Sequence, residues 1–173
     1  MRQDEIIVTC IDKAPGKHQQ DHAPYEYFKQ VIMSGKVNAC QVAFYKIPPQ
    51  KSNYPYHYHT NVTEVFYIIS GTGVLKTLDG ERAIKAGDAV FCPPYEKDAH
   101  KITNTSETEL LVYLDVDTVN DTDIAFYPDS NNVGVLAHGH YAAFFRKEDE
   151  TPYYTGGMPL CRNTLQHSLV HLP

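Results

Sequence analysis

The 173-residue chain lacks tryptophan, long apolar runs and an excess of basic residues. Because no apolar run approaches the length of a membrane span, we predict no transmembrane helix. Lysine and arginine number 15 against 21 aspartates and glutamates, which gives a formal charge of −6, and no basic block interrupts the chain. This balance argues against a nucleic-acid partner. The length fits one domain with a proper hydrophobic core.

The four cysteines are widely spaced and form no Cys-x-x-Cys pair. The N-terminal apolar run, Ile6-Ile7-Val8, is too short to be the core of a signal peptide. We therefore expect reduced thiols and a cytoplasmic protein.

Short apolar segments separated by glycine, proline and Asx turns dominate residues 39–116. They predict strands at 39–47, 64–69, 74–78, 81–85, 89–92, 100–104 and 109–116. The Asp79-Gly80 pair between two of them predicts a hairpin. This spacing indicates an all-β barrel. Upstream, we expect a short edge strand at 5–10 and a polar loop at 13–23, while 25–32 is compatible with a helical turn or a strand.

Three histidines and a glutamate are candidate metal ligands. His57 and His59 are two residues apart, so on a strand they would project from the same face, with Tyr58 turned away. Glu64 opens the next strand, and His100 opens another extended run about forty residues later. Imidazole and carboxylate groups bind Zn²⁺, Mn²⁺, Fe²⁺ and Ni²⁺. The pattern predicts one divalent metal on these four residues, although Glu64 could instead be a general base beside three histidines.

These residues and their spacing resemble the cupin superfamily. The first cupin motif is matched by His57, His59, Glu64 and Gly71, and the second by Gly87, Pro93, His100 and Asn104. The chain departs from the motifs at Lys51, which replaces a glycine, and at 93–99, which is longer and lacks a glycine. The resemblance covers roughly residues 40–116.

The resemblance implies a double-stranded β-helix, or jelly-roll barrel, which limits exposed strand edges. We expect a single domain over 1–173, with the barrel core at approximately 39–116 and N- and C-terminal extensions packing on it. Cupins with three histidines and one glutamate include dioxygenases, decarboxylases, isomerases and lyases. The resemblance therefore favours a dioxygenase-like metal enzyme acting on a small polar molecule. A metal-dependent isomerase or lyase and a non-catalytic sugar- or metabolite-binding protein are the alternatives.

Strand parity places Phe66 and Ile68 on the same face as Glu64, so they should line the interior. Tyr54 and Tyr56 flank the histidine pair and are the candidate catalytic residues, as proton donors or acceptors at the cavity mouth. Asn104 is expected to form hydrogen bonds near the ligands or at a strand end. Cys92 is expected to be a small buried residue.

The C-terminal third carries weaker signals. His138 and His140 form a second His-x-His pair, and Cys161, His167 and His171 form a further group, but neither has the accompanying pattern of a site. Residues 117–123 are an acidic connector without the features of a calcium loop. We expect a homodimer, with Ile6-Ile7-Val8 as a candidate pairing segment.

Overall fold

The computed structural model describes residues 6–33, 39–137 and 140–155. In chain order, the strands are β1 (Gly16–His22), β2 (Tyr25–Met33), β3 (Cys40–Ile47), β4 (Tyr58–His59), β5 (Glu64–Ser70), β6 (Thr72–Thr77), β7 (Gly80–Lys85), β8 (Ala89–Cys92), β9 (Lys101–Asn104), β10 (Leu111–Thr118), β11 (Thr122–Tyr127), β12 (Asn132–Ala137) and β13 (Tyr141–Arg146). Single 3-10 turns lie at Glu96–Asp98 and Lys147–Asp149. The all-β prediction is confirmed.

The strands pair antiparallel in three groups. A six-stranded sheet has the order β1-β2-β3-β10-β5-β8, a four-stranded sheet the order β13-β12-β11-β4, and a three-stranded sheet the order β7-β6-β9. An isolated antiparallel bridge connects the two smaller groups at His57 and His100. There the His57 N–H donates to the His100 carbonyl at 3.1 Å, and the His100 N–H donates to the His57 carbonyl at 2.8 Å. Two predicted metal ligands are therefore paired through their backbones.

The core follows the period of two that a pleated strand requires. Glu64, Phe66 and Ile68 are buried on β5, whereas Tyr67 and Ile69 are exposed, so the predicted interior position of Phe66 and Ile68 is confirmed. The same alternation buries Ala43, Tyr45 and Ile47 on β3 and Leu111, Tyr113 and Asp115 on β10. The interior faces of these three neighbouring strands thus build one continuous wall behind the metal ligands.

Gly71 occupies a backbone position that requires glycine. Its φ is +82°, and a Cβ at this position would lie 2.3 Å from the carbonyl oxygen of Leu110. A larger residue would be strained and would collide with the neighbouring chain. This geometry accounts for the glycine at the end of the first motif, where β5 turns into β6.

The N-terminal predictions need correction. Residues 6–10 form no strand, and Ile6 and Val8 are 95% and 93% exposed, because this segment is not paired with a sheet edge. The predicted loop at 13–23 instead contains β1, which pairs with β2 at the edge of the six-stranded sheet. An edge strand with mostly exposed side chains shows no apolar alternation, so its sequence resembles a loop. The segment 25–32 belongs to β2 and is therefore a strand.

The hairpin predicted at Asp79-Gly80 is confirmed, with Thr77 paired to Gly80. The acidic connector predicted at 117–123 is shorter in the structure, because Asp117 and Thr118 end β10 and Thr122 and Asp123 begin β11. Strands β11, β12 and β13 form successive antiparallel pairs, and β11 also pairs with β4, which carries His59. The C-terminal strands therefore reach the predicted metal site. Among the helical turns of the described residues, none is long or apolar enough to cross a membrane.

Candidate metal centre

The structure brings the four predicted ligands together. One ligand atom from each of His57, His59 and Glu64 lies within 4.8 Å of the others, an arrangement that could hold a metal ion. The Nε2 atom of His59 is 3.8 Å from Oε2 of Glu64, and Nε2 of His100 is 3.0 Å from the same oxygen. The ring centroids of His57 and His100 are 4.9 Å apart. Sequence motifs that are about forty residues apart thus converge on one carboxylate.

Each histidine uses its Nδ1 atom for a contact with an oxygen. His57 Nδ1 donates to the Pro55 carbonyl at 2.8 Å, and His100 Nδ1 donates to the Asp98 carbonyl at 3.0 Å. His59 Nδ1 donates to the Asp123 carboxylate. Because a carbonyl or carboxylate oxygen can only accept, the neutral ring carries its proton on Nδ1. The Nε2 lone pair is then available for a metal. His100 Nε2 is buried and makes no hydrogen bond of normal geometry, so the donor set fits a metal ion.

The residue that sequence reasoning missed is Asp123, which lies on β11 and is almost fully buried. One of its carboxylate oxygens receives His59 Nδ1. The other receives the backbone N–H groups of Thr60 at 3.2 Å and Asn61 at 3.0 Å. A carboxylate that holds a metal-binding histidine fixes the ring orientation and raises its basicity. Nothing local in the sequence indicated this partner, because Asp123 reaches His59 only through the pairing of β11 with β4.

The protonation of Glu64 and His57 suits metal binding. Burial disfavours the Glu64 carboxylate, but His100, His57 and His59 outweigh it and lower the pKa of Glu64 to about 2. Burial lowers the pKa of His57 to about 4, so this ring is neutral at neutral pH. Metal ligands of these types must be a carboxylate and neutral imidazoles.

The surroundings of the other two histidines, His59 and His100, favour protonation of their rings. Burial opposes their protonation, but Asp123 and Glu64 raise the pKa of His59, while Cys92 and Glu64 raise the pKa of His100. Metal binding at this group would therefore release protons and weaken as the pH falls.

Two cavities adjoin the group. One of about 190 Å³ includes His59, Glu64 and Asp123 in its wall, together with Gln41, Asp117 and Asn120. The other, of about 430 Å³, reaches His100 and Cys92 from the side of β7 and β8. The smaller cavity, whose wall carries both polar and apolar side chains, is the space into which a substrate could extend from the ligand group.

The aromatic side chains around the ligands have distinct partners. The Tyr54 hydroxyl hydrogen-bonds to the Tyr45 hydroxyl at 2.8 Å, and the Tyr54 ring centroid is 6.2 Å from that of His57. Tyr56 is buried under Lys76, whose Nζ lies 4.2 Å from the ring centroid. A catalytic role of either tyrosine remains a prediction. Tyr127, which the sequence did not single out, stacks on His57 with centroids 5.8 Å apart.

Two further predictions concern residues near the ligands. Asn104 donates to the carbonyl groups of Ile47 and Glu109 at 2.8 Å each, so it holds a strand end, as expected. Cys92 is buried on β8, also as expected.

Among the histidines of the C-terminal third, His140 is exposed. His138, Cys161, His167 and His171 lie outside the described residues, so the predictions for them stay predictions.

Comparison with known proteins supports the sequence resemblance. The family model described as "Cupin domain" matches residues 43–117, which contain all four predicted ligands. The chain therefore contains a cupin domain. An uncharacterized protein of Methanocaldococcus jannaschii is 37% identical over 67 residues, which are 38% of this chain and 51% of the relative. The chain thus spans about half the length of that curated relative.

Solved structures share the fold over a larger part of the chain and confirm the jelly-roll prediction. A candidate sugar phosphate isomerase from Acidithiobacillus ferrooxidans aligns with a TM-score of 0.73 and 24% identity, over 84% of this chain and 95% of its own. A cupin-superfamily sugar phosphate isomerase from Silicibacter pomeroyi aligns with a TM-score of 0.73 and 19% identity, over 84% and 96%. A predicted oxalate decarboxylase from Thermotoga maritima aligns with a TM-score of 0.57 and 26% identity, over 66% and 100%.

Proposed function

We propose that His57, His59, Glu64 and His100 bind one divalent metal ion and that the protein is a metal-dependent enzyme acting on a small polar molecule. The observation that carries this proposal is that His59 Nε2 and His100 Nε2 converge on Glu64, with a ligand atom of His57 within 4.8 Å of those of His59 and Glu64, while each Nδ1 atom is held by an oxygen. A purely structural cluster would not need three imidazoles with the same free atom. Iron, manganese, zinc and nickel all suit this donor set.

The chain's own residues have separable tasks in such an enzyme. A bound divalent ion would supply Lewis-acid polarisation of a substrate oxygen. Asp123 orients His59, and Tyr127 covers one face of His57. Asp117 and Gln41 form the wall of the adjoining cavity, where they can contact the part of the substrate that extends from the ligands.

Isomerase or lyase chemistry on a hydroxylated carbonyl compound is the reaction class that we favour. Both reactions move a proton next to a polarised carbonyl, and the cavity beside the ligands has a carboxyl group, Asp117, in its wall. The names of the structurally similar proteins, sugar phosphate isomerase and predicted oxalate decarboxylase, belong to the same two classes. These names support the choice of compounds to test.

Dioxygenase chemistry is the second candidate. The ring of Phe66 lies beside His100, with centroids 5.5 Å apart, and Phe66 is fully within the core. An apolar wall next to a redox-active ion would favour O₂ over water. Tyr54 remains a candidate proton donor for either reaction, because its ring is close to His57.

Elemental analysis of the purified protein tests the metal site. We expect one divalent ion per chain in the wild type and loss of stoichiometric metal in the His57→Ala/His100→Ala double variant. His22→Ala, which removes an exposed histidine at the end of β1, is the matched control and should keep the metal. Full occupancy in the double variant would contradict the assignment.

Activity is tested on apoprotein reloaded separately with Fe²⁺, Mn²⁺, Ni²⁺ and Zn²⁺. Each form is offered short sugars, their phosphates, oxalate, diketones and enediols. Exchange of substrate C–H protons with D₂O, or loss of CO₂, indicates isomerase or lyase chemistry. Consumption of O₂ indicates dioxygenase chemistry. Turnover with O₂ uptake alone would favour the dioxygenase. If a compound binds but none of the metal forms turns it over, the protein is better described as a non-catalytic binding protein than as an enzyme.

A further inference from the structure

A pair of aspartates on β10 lies beside the ligand group and has no assigned role. Asp115 and Asp117 are two residues apart, so their side chains project from the same face of the strand. Asp115 is 4% exposed. Burial and the neighbouring carboxyl group of Asp117 raise the pKa of Asp115.

The pair is otherwise poorly supplied with donors. The Oδ1 atoms of Asp115 and Asp117 are buried and find no N–H or O–H donor among the described residues. The only side-chain donor in that part of the chain is Gln41, whose Nε2 lies 3.1 Å from Asp117 Oδ2. A buried carboxyl group without donors costs stability, typically about 1–3 kcal/mol. A well-packed apolar pair would avoid this cost, so a contribution to folding does not explain the arrangement.

The position of Asp117 links the pair to the candidate metal centre. Asp117 is the cross-strand partner of Glu64 in the pairing of β10 with β5, and it lines the cavity of about 190 Å³ that also includes Glu64 and His59. Asp115 stands behind it, opposite Phe66. Asp117 is therefore the member of the pair that a molecule in this cavity would meet, while Gln41 holds its carboxylate through a hydrogen bond.

We propose that Asp117, positioned by the hydrogen bond from Gln41, is a substrate-binding residue that accepts a hydrogen bond from a substrate hydroxyl. The proposal rests on the proposed function, because it requires that the substrate's neighbouring oxygen reach the His57, His59, Glu64 and His100 group. It specifies the substrate as a short, uncharged, polyhydroxylated carbonyl compound. A phosphate or carboxylate against Asp117 would meet another acceptor instead of a donor, and such unpaired contacts are how a site rejects a competing ligand.

The cavity volume sets the size of this compound. A volume of about 190 Å³ corresponds to about six water molecules at roughly 30 Å³ each. A three- to five-carbon sugar fits this space better than a larger ring. Dihydroxyacetone and dihydroxyacetone phosphate are therefore a matched pair of probes that differ in the charged group.

The test measures the dissociation constants of both probes by calorimetry and ligand-observed NMR on the zinc-loaded full chain. We expect the uncharged probe to bind at least tenfold more tightly. Asp117→Asn should weaken binding of dihydroxyacetone about tenfold. It should also reduce the difference in affinity between dihydroxyacetone and dihydroxyacetone phosphate, because an amide presents a donor as well as an acceptor. Asp21→Asn on β1, an exposed acid, is the control and should change neither value. Gln41→Ala should weaken binding of the uncharged probe by a smaller factor.

The outcomes separate the two proposals. Loss of zinc from the wild type, or retention of zinc by the His57→Ala/His100→Ala variant, would reject the metal site itself. If zinc is bound as proposed, equal or tighter binding of the phosphate would overturn the hydroxyl subsite. The hydroxyl subsite would also be overturned if Asp117→Asn, with normal zinc content and circular dichroism, bound dihydroxyacetone with unchanged affinity. It would be overturned as well if neither probe bound the zinc-loaded wild type.

Discussion

Asp123 and Asp115 are buried to almost the same extent, at 6% and 4% exposure, but their surroundings are opposite. Asp123 receives hydrogen bonds from His59 and from two backbone N–H groups. Within the described part of the chain, Oδ1 of Asp115 has no hydrogen-bond donor, and the charge of the neighbouring Asp117 opposes its ionisation. Burial raises the pKa of both carboxyl groups, but the donors around Asp123 outweigh it and lower its pKa, whereas nothing comparable compensates Asp115.

The comparison shows that burial alone does not decide the state of an acid. The number of donors that face the carboxyl group decides it. The surroundings of Asp123 favour its ionised form, in which it accepts a hydrogen bond from His59, whereas the surroundings of Asp115 favour its protonated form. Two aspartates in the same barrel can therefore serve the same site in different ways.

Replacement of Asp123 should have the largest effect. In Asp123→Ala, His59 loses its Nδ1 acceptor and two backbone N–H groups lose theirs. We expect metal affinity to fall about 10- to 100-fold, as found for similar supporting residues. Competition with a chelator measures this affinity. Asp21→Ala is the control, and an unchanged affinity in Asp123→Ala would show that His59 needs no oriented partner.

Replacement of Asp115 by asparagine should have a smaller effect of opposite sign. Asp115→Asn keeps the shape of the side chain and provides an N–H donor to Asp117. We expect the free energy of unfolding at neutral pH to rise by about 1 kcal/mol, the net contribution of one hydrogen bond. Urea unfolding of the metal-free protein measures it. A loss of stability would mean that the acid itself is needed for folding.

The difference in free energy of unfolding between the wild type and Asp115→Asn should depend on pH in a defined direction. The pKa of Asp115 is raised in the folded protein, so the folded state binds more protons than the unfolded one above pH about 3.9. The wild type should therefore lose stability relative to Asp115→Asn as the pH rises from about 4 through the folded pKa, and the difference should then level off. Unfolding curves between pH 4 and 9 test this, and a constant difference would contradict it.

The smallest effect is expected at Gln41, which donates one partly buried hydrogen bond to Asp117. Gln41→Leu keeps the volume but removes the donor. We expect a loss of about 0.5 kcal/mol in the free energy of unfolding, the lower end of the range for one hydrogen bond. The same unfolding measurement on Asp123→Ala provides the comparison. If Gln41→Leu lost as much free energy of unfolding as Asp123→Ala, Asp117 would depend on its donor as strongly as Asp123 does, and the contrast between the donor-rich and the donor-poor acids would fail.

The convergence of the four candidate ligands could be predicted from the sequence because their spacing is local or belongs to a motif. His57 and His59 needed only strand geometry, and Glu64 and His100 followed from their motif positions. Asp123 was not predictable, because it is 64 residues from His59 in sequence and reaches it only when β11 pairs with β4. The role of Asp115 depends on the absence of donors in the folded protein, which no local pattern encodes.

The fold shows the same division. Apolar alternation predicted β3, β5 and β10, because these strands have one buried face. It missed β1, whose side chains are mostly exposed and whose pairing is supplied by β2. It also predicted a strand at 5–10, where apolar residues are present but residues 6–10 have no sheet partner. Apolar sequence indicates a buried face only where a neighbouring strand provides the interior.

The backbone bridge between His57 and His100 has a kinetic consequence. The two N–H groups that close this bridge belong to residues on either side of Glu64, so the bridge must stay closed for both rings to keep their positions. A fluctuation that breaks the bridge would expose both amides to solvent hydrogen exchange and would separate two ligands at once. We therefore expect the amides of His57 and His100 to exchange together, and a bound metal ion to slow both by the same factor. The rate at which the bridge between His57 and His100 opens would then set an upper limit on the rate at which a bound metal ion is released.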